Sequence, residues 1–215
     1  MGTRGHVLAT DISLQMLSIA TQRAVSENLD KIIDFKEGNA ATIDLPESNF
    51  NSALCRLRLM FLDDLDAGLS NIYKSLVNGG RFAASVWSTS EKVPQLALAM
   101  DTVRKELHIP LLSPSGTPGP FSLSDDNVLK NSFISCGFKD IGIERINVTV
   151  EFYTAEVYTH FKDITAPVLA MLADQTLDRK EKIWKAVTEA AAKYVKNNKD
   201  SIVLDNEAIC IVGKK

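Results

Sequence analysis

Along the first part of the chain, apolar and polar positions switch repeatedly between two periods. Val7-Leu8-Ala9-Thr10 is a short apolar run that stops at Asp11, and from Leu14 to about Asn28 the apolar residues recur at helical spacing. The run predicts a buried parallel strand, and Ser13 is placed to cap the following helix by accepting a backbone N–H. Leu14, Leu17, Ile19, Ala20, Ala24 and Val25 make a broad face expected to lie on a sheet. A second strand is expected over Ile32 to Lys36. It runs into Glu37-Gly38-Asn39-Ala40, where Gly38 permits unusual backbone angles and Asn39 presents a short amide at the strand's carboxyl end. Phe50 to Arg56 predicts another strand, Asp64 to Leu76 a helix stopped by Asn78-Gly79-Gly80, and Phe82 to Trp87 the next strand. Strands and helices alternating at this spacing are βαβ units, so the class is α/β with a mostly parallel sheet covered on both faces.

Beyond Trp87 the pattern changes. A helix is expected from Pro94 to Leu107, followed by the Pro/Gly/Ser-rich segment Pro110 to Phe121, whose length and apolar ends suit an ordered loop over a site. Ser124 is expected to cap a helix through Cys136 that Gly137 ends. Ile141 to Phe152 alternates as a strand does, and Ala208 to Val212 is a final apolar strand. Between those strands, Ala155 to Ala173 and Asp178 to Lys196 are helical in period, the second with Ile183, Val187, Ala190, Ala191, Tyr194 and Val195 toward one side. They read as a helical cap or insertion at the sheet's edge. There is no internal repeat, and 215 residues at 45% hydrophobic suit a single domain with one sizeable core.

Charge and cysteine usage narrow the function classes. A net charge of -3 gives no broad positive field, which argues against nucleic acid or an anionic membrane as partner. The lysines from Arg179 to Lys199 are interleaved with Asp178, Glu181, Glu189 and Asp200, as on a solvated helix. Cys55, Cys136 and Cys210 are far apart and form no Cys-x-x-Cys pair, against a disulfide framework or zinc site and in favour of a reducing cytoplasm. No apolar run nears the roughly 18 residues of a membrane span, and the polar start lacks a signal peptide's core. His6, His108 and His160 are isolated, with no metal-ligand spacing.

The strongest chemical signal is the acid at the end of the first strand. A carboxylate there accepts hydrogen bonds from the two vicinal hydroxyls of a ribose in many nucleotide-binding sheets, which makes Asp11 the first site candidate. The plainer alternative is an acid favoured by the dipole at a helix N-terminus.

Three segments in order extend this. Val7 to Ser13, then Glu37-Gly38-Asn39-Ala40 with Leu45-Pro46 and Ser48-Asn49-Phe50-Asn51, then Leu76-Val77-Asn78-Gly79-Gly80-Arg81-Phe82 together resemble class I S-adenosylmethionine-dependent methyltransferases. They look most like the small-molecule group that includes the quinone-biosynthesis C-methyltransferases. The resemblance covers Gly5 to about Trp87 and, more loosely, Pro118-Gly119-Pro120-Phe121-Ser122-Leu123, Cys136-Gly137-Phe138 and the late strand pair. It implies a Rossmann-like sheet, mostly parallel, with an antiparallel C-terminal strand and a helical insertion near the C-terminus. In this picture 5–87 form the cofactor half, 88–200 the substrate loop and cap, and 208–212 the final strand.

Carried over by residue, the resemblance implies that Asp11 binds the ribose hydroxyls and Ile12 packs on the adenine. Asn39 stands where the family usually has Asp and would accept from the exocyclic adenine amine, with Ala40 against the ring. Arg56 and Leu57 match the place where methyl donor and acceptor meet. The family's glycine-rich loop and the central strand that carries it are not in the sequence, so the resemblance implies an N-terminally truncated sheet. The strand ending at Asp11 is then expected to pair with the one ending at Arg56, to take a strand from another chain, or to leave an exposed inner edge prone to self-association.

Arg56 and Arg58 are two apart on a strand and share a side. They could bind an acidic substrate or the cofactor's carboxylate, or form a structural ion pair with Asp63 or Asp64. Met60, Phe61, Trp87 and Phe121 could line a pocket or simply pack in the core. The expected function is S-adenosylmethionine-dependent methyl transfer to a small-molecule acceptor. The alternatives are a non-catalytic remnant or binding subunit of the same fold that no longer binds cofactor on its own and, third, a dehydrogenase whose acid reads an NAD ribose.

Overall fold

In the computed structural model, which describes residues 5–110, 117–163, 166–195 and 201–215, the chain begins with strand β1 (Val7–Asp11), helix α1 (Leu14–Ser26) and strand β2 (Ile33–Glu37). β1 and β2 pair in parallel, from Val7 opposite Ile33 to Asp11 opposite Glu37. Ser13 caps α1 as expected, its Oγ accepting the Met16 N–H at 3.3 Å. The broad face expected on α1 is corrected. Only Leu17 and Ala24 are buried, while Leu14, Met16, Ile19 and Val25 are each more than half exposed.

Strand β3 (Phe50–Arg56), helix α2 (Leu65–Ser75) and strand β4 (Leu76–Trp87) follow. Asp64 caps α2, its Oδ1 accepting the Ala67 N–H at 2.9 Å. Asn78-Gly79-Gly80 does not end this helix, because β4 starts immediately after α2 and contains all three residues. The glycines serve the strand instead. Gly79 has φ 82°, its N–H donates to the Lys215 carbonyl at 3.0 Å, and the Gly80 carbonyl accepts the Lys215 N–H at 2.9 Å. A Cβ on Gly80 would fall 2.8 Å from the Val77 oxygen, a distance no side chain tolerates.

Helix α3 (Pro94–Leu107) has the predicted bounds. Helix α4 (Asp126–Ser135) is capped by Asp125, which accepts from the N–H groups of Asn127 and Val128, and not by Ser124. Strand β5 (Lys139–Phe152) leads to helices α5 (Ala155–Asp163), α6 (Ala166–Leu172) and α7 (Leu177–Ala192), and strand β6 (Ile202–Lys214) closes the chain. Residues 111–116 of the Pro110 to Phe121 loop lie outside the described residues, as do 164–165 between α5 and α6.

The second sheet has the order β3-β4-β6-β5. β6 runs antiparallel to β4, since Gly79 bonds Lys215 at one end and the Ser88 N–H bonds the Glu207 carbonyl at the other. The mixed sheet with an antiparallel C-terminal strand is the expected one. β1 and β3 do not pair: among the described residues each is the end strand of its own sheet. Leu54, in the middle of β3, is 84% exposed.

By packing, Met1–Ala84, Leu129–Gly142 and Ile211–Lys215 make one compact unit, and Ser85–Val128 and Ile143–Cys210 the other. In the first, an aromatic cluster joins the elements, with Phe82 stacked on Phe133 at 5.3 Å and Tyr73 edge-on to Phe138 at 5.1 Å. In the second, Val103, Tyr158, Leu172, Ile183, Val187 and Leu204 form a closed core from α3, α5, α6, α7 and β6. No helix among the described residues is long and apolar enough to cross a membrane.

Candidate functional site

The first unit brings two of the sequence candidates together. Asp11 ends β1 and is half-buried, with Oδ1 accepting the Ser13 N–H at 2.9 Å. That short turn orients the carboxylate at the mouth of α1 and leaves Oδ2 without a protein partner among the described residues. Asp11's carbonyl accepts the Gly38 N–H at 3.0 Å, so parallel pairing carries Gly38 and Asn39 alongside it. A side chain at Gly38 would collide with Ile43, its Cβ only 2.7 Å away, so Ile43 closes over this turn only because the position is glycine.

Asn39 is fixed by its own turn. Its Oδ1 accepts the Ala41 N–H at 2.9 Å, and its carbonyl accepts the N–H groups of Thr42 and Ile43. One lone pair of the amide oxygen remains for an outside donor. The loop is held from below by Asn71 on α2, whose Nδ2 donates to the carbonyls of Ala40 at 3.0 Å and Ile43 at 2.7 Å. Sequence reading missed Asn71. The available signal was a poor helix former inside a helix, a residue type that hydrogen-bonds backbone when it can. Ile12 is 53% exposed, leaving an apolar side chain at the strand end.

Arg56 and Leu57 lie at the end of β3. Leu57 takes φ 53°, a left-handed conformation uncommon for a bulky residue and concentrated at functional sites. A 3₁₀ turn, Leu59–Phe61, follows, with Leu59 and Met60 buried. The Cys55 thiol is pushed up by burial, opposed by bonds from the backbone N–H groups of Arg58 and Leu59 and by the Arg58 charge. Arg58 lies over the Phe61 ring, 5.9 Å from its centroid.

Other candidates fall elsewhere. Met60 and Trp87 are core residues. Phe121 packs against the core of the second unit. His6 bonds Asp34 at 2.8 Å on the surface, His108 ends α3 with φ 55°, and His160 is exposed on α5. The cysteines Cys55, Cys136 and Cys210 are free.

The groups at this turn have a chemistry that suits a nucleoside. A carboxylate oxygen without a partner suits vicinal hydroxyls, an amide oxygen with a spare lone pair suits an exocyclic amine, and the exposed Ile12 side chain suits the face of a base.

Comparison with known proteins bears on family and fold. Residues 1–84 match the family model described as Methyltransferase domain. A ubiquinone/menaquinone biosynthesis C-methyltransferase of Rhodopseudomonas palustris is 32% identical over 100 residues, 46% of this chain and 39% of that protein. A demethylmenaquinone methyltransferase of Bacteroides fragilis is 24% identical over 161 residues, covering 70% of this chain and 65% of the relative. The chain thus spans 39% of the length of the Rhodopseudomonas relative. Among solved structures, the YcgJ protein from Bacillus subtilis superimposes with TM-score 0.58 at 16% identity, covering 98% of this chain and 82% of that one. Phosphoethanolamine N-methyltransferase 2 from Haemonchus contortus, in complex with S-adenosyl-L-methionine, gives 0.55 at 16% identity, covering 98% of this chain and 43% of that one.

Proposed function

We propose that this chain, whose residues 1–84 match the methyltransferase-domain family model and whose fold is shared with a solved methyltransferase in complex with S-adenosyl-L-methionine, transfers the methyl group of S-adenosylmethionine to a small organic acceptor of the quinol type. The observation that carries the reading is the junction of Asp11 and the Gly38-Asn39 turn, held by the bond from the Gly38 N–H to the Asp11 carbonyl. Here Asp11 accepts from the ribose hydroxyls, Asn39 accepts from the adenine amine, and Ile12 and Ala40 pack on the ring. Arg56 and Leu57 face the reacting end.

The cofactor supplies an activated methyl that leaves its sulfur by in-line displacement. The protein's work is therefore alignment of donor and acceptor and exclusion of water, with a base needed only for some acceptors. The name of the Rhodopseudomonas relative supports a quinone-like acceptor. Free thiols suit a reducing, cytoplasmic setting. The end strands β1 and β3 and the exposed Leu54 support association of copies of this chain along a strand edge.

The test is incubation with S-adenosylmethionine labelled in its methyl group and a demethylated naphthoquinol, with products resolved by mass spectrometry. Labelled methylated quinol that disappears in Asp11→Ala is the expected result. No labelled product from a sample that binds the cofactor would exclude this acceptor class.

A further inference from the structure

We propose that Asn71 on α2 is a positioning residue that sets the selectivity of the nucleoside turn for a base bearing an exocyclic amine. The proposal rests on the reading above, in which Asn39 accepts from the adenine amine. An asparagine amide nitrogen carries two N–H donors, and Asn71 uses both on one loop, at the Ala40 carbonyl at 3.0 Å and the Ile43 carbonyl at 2.7 Å. Those carbonyls flank a turn whose remaining bonds are internal. The Asn39 carbonyl accepts from the N–H groups of Thr42 and Ile43, and its Oδ1 from the Ala41 N–H. Asn71 fastens that self-contained turn to a helix, and with it the amide oxygen that meets the base.

The helix is a fixed mount. Asp64 caps its first turn, Leu69 is wholly buried, and Lys215 closes its far end by donating from Nζ to the carbonyls of Lys74 at 3.2 Å and Leu76 at 2.7 Å. The loop is tied to that same end further on, with the N–H groups of Ser48 and Asn49 on the carbonyls of Lys74 and Ser75, each at 2.9 Å. α2 connects β3 to β4, whereas Asn39 follows β2 of the two-stranded sheet, and β1 and β3 do not pair among the described residues. The Asn71 bonds therefore run from the sheet that carries Asp11 to the helix of the sheet that ends at Arg56 and Leu57. Without them the turn keeps its internal bonds and loses its fixed position, and discrimination by a hydrogen bond depends on position.

The experiment is calorimetric titration of the whole chain with S-adenosylhomocysteine and with S-inosylhomocysteine, in which a carbonyl oxygen replaces the exocyclic amine. The wild type is expected to prefer the amine by roughly tenfold, the scale of one hydrogen bond. In Asn71→Leu, checked for folding by circular dichroism, the two ligands bind nearly alike. Leucine matches asparagine in size and is the better helix former, so a weakened helix does not account for the loss. Asn71→Gln keeps both donors on a longer stem and recovers part of the preference. Ile183→Val, which loosens the core of the second unit, leaves the ratio unchanged. Hydrogen exchange read by NMR follows the turn without any ligand. In Asn71→Leu the Thr42 and Ile43 amides exchange roughly tenfold faster, while the Gly38 amide on the Asp11 carbonyl keeps its rate.

A preference that persists in Asn71→Leu, or turn amides that exchange no faster in it, overturns the proposal and leaves the nucleoside reading standing. Loss of the ratio in Ile183→Val overturns it too, by tying selectivity to global stability. Equal binding of the two ligands by the wild type removes Asn39 as the reader of the amine, and the proposal with it. Failure of both ligands to bind a folded sample would sink the methyltransferase reading itself, and the role of Asn71 with it.

Discussion

Helices α1 and α7 carry the same kind of apolar periodicity, and the molecule treats them differently. On α7, Ile183, Val187 and Ala191 are wholly buried against α3, α5 and the strand core. On α1, Leu17 and Ala24 are covered while Leu14, Met16, Ile19 and Val25 stand more than half in solvent. Period tells which residues share a helix face. What covers that face is a property of the neighbouring elements, and next to α1 they are, among the described residues, a sheet of two strands. The second unit buries its periodic face in a closed core, while α1 in the first leaves much of its own in solvent.

That contrast can be broken by mutation. The largest expected effect is Ile183→Ala, which empties part of a closed core and should cost about 2–5 kcal/mol in denaturant unfolding, whereas Ile19→Ala should stay within about 0.5 kcal/mol. Equal losses at the two positions would mean that α1 is covered in solution. Next is Asp11→Ala, expected to weaken S-adenosylhomocysteine binding by about 1.5–3 kcal/mol while leaving the unfolding midpoint almost unchanged. An unaltered affinity would place the nucleoside elsewhere.

A smaller effect belongs to Tyr158, whose buried hydroxyl donates to the Gln95 carbonyl at 3.1 Å and whose ionisation burial pushes far up. Tyr158→Phe should cost about 0.5–1.5 kcal/mol, with no dependence on pH across the neutral range. The smallest is Asp101→Asn on α3. Burial raises the Asp101 carboxyl, opposed by Arg104 at 4.0 Å. A raised acid favours the folded state below its unfolded value and loses that contribution as pH rises through its folded value. Wild type should therefore lose a little stability relative to the variant as pH rises from the ordinary carboxylate range through the raised value of Asp101, read from paired denaturation curves. A rise in that interval would reverse the assignment.

The bounds of β3 and α3 and the capping of α1 by Ser13 could be read from residue types, because each depends on local chemistry. The placement of Asp11 and Asn39 was legible for the same reason: an acid ends one strand and a short amide stands just past the next. Gly79 and Gly80 misled because a glycine pair after a helix has two uses, and choosing between a helix end and a strand start needs Lys215, far along the chain. Asp125 displaced Ser124 as the cap of α4 because either side chain can serve there and the chain geometry chose one residue later. Asn71 was marked only as a poor helix former inside a helix, since its role depends on where a loop outside that helix falls. That Arg56 and Arg58 form no ion pair with Asp63 or Asp64 among the described residues was undecidable before the structure, as pairing is a matter of geometry.

The central claim is that the turn at Asp11 and Asn39 holds the nucleoside of an S-adenosyl cofactor. Its most direct test is calorimetric titration of the purified chain with S-adenosylhomocysteine. The account predicts saturable one-to-one binding in the micromolar range, about -8 kcal/mol. Absence of heat at millimolar ligand, from a sample shown by circular dichroism to be folded, would contradict it.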